Sequence, residues 1–233
     1  MDVLYFLKSR TRFLRKFHQQ AASHFEDEKR KIRESAPPYD EPPSWYNPED
    51  GEPPFLSEYM DAEESIEFLG QSCVSSLSAS LKLFFDETRS DLSRFRAALP
   101  VFDGKLAQKK GIFVANKEWF SAVGVDFGQS GADLAVVEEV IITRNVAQHP
   151  ESIVMHAIYV RGKQVKRRPH PFFVHELERH GTDSEDLQDL ERYQWMLEIT
   201  PEKLLLAIDE VDKLCEFIWI ELHGPFDEWQ SAR

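Results

Sequence analysis

Hydrophobic residues recur at intervals of three and four over most of the chain, the spacing that gives a helix one apolar side. Val3, Phe6, Leu7, Phe13, Leu14, Phe17, Ala21 and Phe25 form such a series with basic and polar residues between them, which predicts one long helix over residues 2 to 34 with these side chains on its buried stripe. Phe55, Tyr59, Ala62, Ile66, Leu69, Cys73, Leu77, Leu81 and Phe84 predict a second long helix, begun after Pro53 and Pro54. Residues 133 to 148 read as a third. Pro150 drives the residue before it out of the helical region, so His149 stands at that helix's end. The last helix opens with the cap and proline pair Thr200-Pro201, runs through Leu204, Ile208, Val211, Leu214, Cys215, Ile218 and Trp219, and closes at Gly224.

The connecting stretches have a different texture. Residues 36 to 54 are dense in proline and acid and predict an extended surface connection. From Ser90 to Gly131 the pattern is broken by Pro100, Gly104, Gly111, Gly124 and Gly128, with one helix expected from Lys117 to about Phe127. Residues 156 to 199 read as an insertion before the last helix, with a short hairpin pairing 157–160 and 164–166 across Gly162, then a polar loop. Four or more amphipathic helices imply an all-α bundle, taken as a single domain over residues 1 to 233.

Composition refines the picture. The 233 residues are 42% hydrophobic, enough for a substantial core, and the two cysteines, Cys73 and Cys215, fall inside apolar helical series, as reduced core thiols do in a cytoplasmic protein. No apolar run reaches the roughly 18 residues that span a bilayer, so no membrane partner is expected. The formal net charge of -13 argues against a nucleic-acid partner until its distribution is considered. Eleven acids and no Lys or Arg lie between Glu34 and Leu81, leaving the remainder close to neutral and free to carry basic patches.

The chemistry gathers before Pro150. Leu134, Val137 and Ile141 step along one helix side, and the next member of that series is Arg144. Measured from Ile141, Arg144 lies near about -60°, Asn145 near about +40° and His149 near about +80°, so all three flank one face. Asn145 and His149 are four residues apart, which allows the amide to orient one imidazole nitrogen. A histidine at a helix C-terminus feels the negative end of the macrodipole, which favours protonation. Arg144 offers a planar fork matched to phosphate oxygens. An RNA 2′-hydroxyl can attack its own phosphate, so cleavage needs only proton transfer and stabilised charge, with no cofactor and no metal. The plainer alternative is a structural arginine and a helix-capping histidine.

The run Arg144-Asn145-Val146-Ala147-Gln148-His149 resembles the signature of the HEPN superfamily: arginine, a polar residue, and histidine after four intervening positions, near a helix end in an all-α bundle. The resemblance implies a bundle of four to six helices forming a homodimer with two motif copies facing each other. It also implies a metal-independent endoribonuclease that leaves a 2′,3′-cyclic phosphate, with Arg144 and His149 catalytic and Asn145 the polar residue beside them. Many relatives act as toxins or in antiviral defence, which suggests a protein antitoxin or regulator as partner; others only bind. In toxins paired with a nucleotidyltransferase antitoxin the modified tyrosine lies two positions after the histidine, where this chain has Glu151, so that regulation is not expected.

Other features add partners or fail to. Arg161, Lys163, Lys166, Arg167 and Arg168 place five cations in eight residues, a candidate clamp on RNA backbone or a solvated loop. His170, His175 and His180 recur every five residues among prolines, a spacing that does not favour a metal site. Trp45 and Tyr46 stand in the acidic proline-rich segment, which can act as a cover over a basic RNA groove or pack its aromatics on the first helix.

Overall fold

The computed structural model describes residues 2–95, 98–148, 159–161, 171–174 and 194–224. Among them are six α-helices, numbered here in chain order: α1 (Val3–Arg33), α2 (Leu56–Phe95), α3 (Gly104–Lys110), α4 (Ile112–Ala122), α5 (Leu134–Gln148) and α6 (Pro201–His223). Two three-residue strands, β1 (Tyr159–Arg161) and β2 (Gln194–Met196), pair antiparallel with Val160 opposite Trp195. The all-α expectation stands, with this ribbon as its minor addition.

α2 is the axis of the assembly. At 40 residues it is about 60 Å long, and α1, α5 and α6 all pack on it, while α6 also meets α1 and α5. Its buried side carries Ala62, Leu69, Cys73, Leu77, Leu81 and Phe84, as its periodicity predicts. Gly70 is needed where the chain before α6 crosses it. A β-carbon there would stand 2.9 Å from the Ile199 carbonyl oxygen, so the helix and the segment leading into α6 meet backbone to backbone. Phe173, Val174, Leu197 and Ile199 are buried at this crossing and join the helical core.

The helix ends are built as their sequences dictate. The Asp2 carboxylate accepts the Tyr5 N–H at 2.8 Å, and Arg30, Lys31 and Arg33 lie in the last turn of α1, where cations suit the macrodipole. Thr200 caps α6 through the Lys203 N–H, Pro201 follows it, and Gly224 ends the helix at φ +82°.

Two expectations are corrected. On α1 the buried side comprises Val3, Leu4, Leu7, Thr11, Leu14, His18 and Ala22, whereas Phe6, Phe13 and Phe17 are exposed. The apolar residues of α1 cover more of its circumference than its partners do, and the three phenylalanines stand about 120° from the centre of the contact side. The helix expected from Lys117 to Phe127 is instead α4, preceded by α3. Asp103 caps α3 by accepting the Lys105 and Leu106 N–H groups, and Gly111 at φ +103° turns the chain into α4. β1 pairs with residues 194–196, while 164–166, the other half of the hairpin expected across Gly162, lie outside the described residues.

The acidic proline-rich segment, read either as a cover over a basic groove or as packed on the first helix, is anchored where α1 ends and α2 begins. The Tyr39 hydroxyl donates to Glu28 on α1 at 2.6 Å and its ring meets Phe55 edge-on, just before α2. Twenty-six residues of α2 separate Leu56 from Lys82, about 39 Å. Trp45 is 74% exposed. Within one chain the segment is tied to the opposite end of the long helix.

Candidate nucleic-acid interface

The placement of α5 begins with a buried carboxylate. Asp133 caps the helix by accepting the Ala135 and Val136 N–H groups, while its own N–H donates to Glu210 Oε2 at 2.7 Å. Glu210, on α6, is buried and takes Lys213 on its other oxygen at 2.7 Å. With its start fixed in this way and Val136, Val137, Val140 and Ile141 buried, α5 has little rotational freedom. Its final turn therefore emerges on a defined side.

That turn carries Arg144, half-buried, and Asn145, exposed. Arg144 Nη1 donates to Asn145 Oδ1 at 3.0 Å, so the amide steadies the guanidinium and leaves its remaining N–H groups for a ligand. The sequence paired Asn145 with His149; the contact observed is with Arg144. His149 follows the last residue of α5 and lies outside the described residues.

Arg144 and Asn145 line an open cleft of about 1000 Å³ between α2, the α3–α4 junction and α5. Lys82 comes from α2 and Lys109 and Lys110 from the last turn of α3, and all three are exposed. The acids on the same walls are Asp86, Glu138 and Glu139. Asp86 is paired with Arg89, Glu139 is buried, and Glu138 and Glu139 each have contacts of their own. Among the described residues, by contrast, none of the three lysines forms an ion pair. The outcome is an excess of available positive charge around Arg144 in a protein of net charge -13.

The wall bearing Lys109 and Lys110 is held by Arg89. Its guanidinium donates to Asp86 on its own helix and to the wholly buried Asn116 of α4, and lies 4.2 Å from the Phe102 ring centroid. Asn116 in turn donates to the Ile112 carbonyl, and Trp119 Nε1 donates to the Pro100 carbonyl at 2.7 Å. Beneath lies an aromatic cluster in which Phe85 stacks on Phe127 at 5.9 Å and meets Phe120 at 5.7 Å. Phe85 and Phe113 reach the cleft as its floor.

Of the residues expected to bind RNA, Arg161 lies in β1, and Lys163, Lys166, Arg167 and Arg168 fall outside the described residues, as do His170, His175 and His180. Lys82, Lys109 and Lys110 were missed. The signal for the latter two was the pair of cations just before Gly111, a helix-end pattern. Neither cysteine is a poised nucleophile: burial pushes the Cys73 thiol up to about 11 and the Cys215 thiol well above its ordinary value. Among the described residues, no helix is long and apolar enough to cross a membrane, and no three metal-ligating side chains gather.

Searches against known protein families, curated proteins and solved structures match nothing to this chain.

Proposed function

We propose that the protein is a metal-independent endoribonuclease of HEPN type that cuts RNA by attack of the 2′-hydroxyl on its own phosphate. The observation that carries this reading is the end of α5, where Arg144, steadied by Asn145, stands in a cleft flanked by Lys82, Lys109 and Lys110. A permanently charged fork among flexible point charges is an arrangement suited to a phosphodiester. In this mechanism Arg144 clamps the phosphate and stabilises the charge that develops on it, and the lysines hold the flanking backbone. His149, at the position after α5, moves the proton. Two copies facing each other across a homodimer would complete the site. A role as a toxin or antiviral effector, restrained by a protein partner, follows by analogy with the family alone.

A second reading draws on the eleven acids between Glu34 and Leu81, unaccompanied by any Lys or Arg, which suit a basic protein ligand. In that case the bundle is a binding module and not an enzyme.

Incubation of the purified protein with mixed cellular RNA in EDTA separates the two, beside Arg144→Ala and His149→Ala variants whose helicity and melting temperature match wild type. The nuclease reading predicts cleavage leaving 2′,3′-cyclic phosphate and 5′-hydroxyl ends, lost in both variants. Wild type as inert as the variants across these RNAs favours the binding module.

A further inference from the structure

The outward side of α1 carries a row of rings that the core does not use. Phe6, Phe13 and Phe17 are 53%, 63% and 42% exposed and lie within about 40° of one another around the helix, with Arg10 about 20° beyond them. Phe13 and Phe17 are parallel, with centroids 5.7 Å apart and planes 14° from coincidence. Arg10 and Lys16 lie on either side of the row, and between Asp2 and Glu26 the helix has no acid at all. Burying a phenylalanine removes a large apolar area from water, so three left outside on one stripe mark a surface that meets something.

This stripe is continuous with the cleft. A smaller groove of about 240 Å³ runs between Phe6, Leu7 and Arg10 of α1 and Leu83, Phe84 and Glu87 of α2. Leu83, 46% exposed, lines both this groove and the cleft containing Arg144 and Lys82. One low apolar ridge therefore separates the rings of α1 from the basic cleft, and Glu87 is the acid beside Arg10.

We infer that the α1 stripe is a landing platform for single-stranded RNA that feeds the cleft at Arg144, an inference that rests on the nuclease reading for its substrate. Bases need aromatic faces and the backbone needs cations, and here a row of rings lies between Lys16 and Arg10 on one helix side. In a duplex the bases are already stacked on one another, so unpaired strands are the substrate class this surface selects. Contact with a second copy through the same stripe would set Arg10 and Lys16 against cations of the same stripe. A lipid surface would use the rings but not their continuity with the cleft.

The test is fluorescence anisotropy with a labelled 20-nucleotide RNA, single-stranded or annealed to its complement, in EDTA. The protein carries Arg144→Ala so that binding is read without cleavage, and the comparison adds Phe13→Ala with Phe17→Ala, or Arg10→Glu alone. These side chains are exposed, and the melting temperature of each variant checks its fold. The platform predicts single-strand binding that is weakened roughly ten-fold or more by the double ring substitution, and to a similar extent by the charge reversal. Duplex binding should be weaker at the outset and insensitive to the rings. Unchanged single-strand affinity in both variants overturns the platform, while the nuclease reading survives if wild type still cuts RNA. Ring-dependent binding without any cleavage by the wild-type chain keeps the platform and removes the nuclease. Ring-dependent flotation with phosphatidylserine vesicles, in place of RNA binding, overturns it in favour of a membrane surface.

Discussion

Arg144 donates from Nη1 to the side-chain oxygen of its neighbour Asn145 at 3.0 Å, a contact between consecutive residues at the exposed end of α5. It makes Asn145 a positioning residue for the guanidinium. Asn145→Ala should lower cleavage about ten-fold by loosening Arg144, and Asn145→Asp should lower it further, because a carboxylate there neutralises the charge intended for phosphate. Asn145 is exposed, so neither change should alter the melting temperature by more than a degree or so. Steady-state kinetics in EDTA check the order: Asp no worse than Ala would remove the charge argument.

In the proposed nuclease the lysines of the cleft hold the RNA backbone and take no part at the reacting bond. Single substitutions Lys82→Ala, Lys109→Ala and Lys110→Ala should each raise KM with kcat nearly unchanged, and should reduce the salt dependence of binding by about one counterion each, without sequence preference. Binding titrations at several salt concentrations read this slope. Slopes identical to wild type in all three variants would place the backbone elsewhere.

Arg89 holds the wall on which Lys109 and Lys110 are mounted. Arg89→Met keeps much of the packing on Phe102 but leaves the buried Asn116 oxygen without its donor, at a cost of about 1–3 kcal/mol. Chemical denaturation measures this loss directly. RNA affinity should fall alongside it, since the α3–α4 junction loses its tie to α2.

His18 links stability to pH. It is buried on α1 with no hydrogen-bond partner for Nε2 among the described residues, and burial holds its pKa below the ordinary 6.5, with the Glu202 carboxylate pulling the other way. The folded chain therefore binds this proton less readily than the unfolded one. Stability is intact above pH 6.5 and declines as pH falls from there toward the lowered folded value. Asp212, whose pKa burial raises, works in the opposite sense at lower pH, its contribution being lost as pH rises through its folded value. His18→Leu should flatten the decline in melting temperature between pH 7.5 and 5.5. An unchanged decline would assign it to other groups.

Legibility in the sequence followed burial. The spans of α1, α5 and α6 and the buried face of α2 were readable because their periodicity and end signals agree: Thr200-Pro201 and Gly224 for α6, and Pro150 just beyond α5. α3 and α4 were not, because Gly111 joins two short helices that neither periodicity nor length distinguishes from a broken loop. On α1 the sequence assigned Phe6, Phe13 and Phe17 to the core because periodicity counts apolar residues without knowing how much of the helix its neighbours cover. The cleft was half visible. Arg144 could be found as a charge at the end of an apolar series, whereas Lys82, Lys109 and Lys110 come together only through the tertiary packing of α2 with the α3–α4 junction. The strand partner of β1, more than thirty residues downstream, had no local signal either.

The central claim is that Arg144 at the end of α5 serves a metal-free attack by the RNA 2′-hydroxyl. Its most direct measurement compares a synthetic RNA with its all-2′-deoxy counterpart, in EDTA, cut by wild type and by Arg144→Ala. The prediction is cleavage of the RNA alone, ending in a cyclic phosphate, and slower by about a hundred-fold or more in the variant. Cutting of the deoxy strand, equal rates with and without the arginine, or no cutting of the RNA by wild type would contradict it.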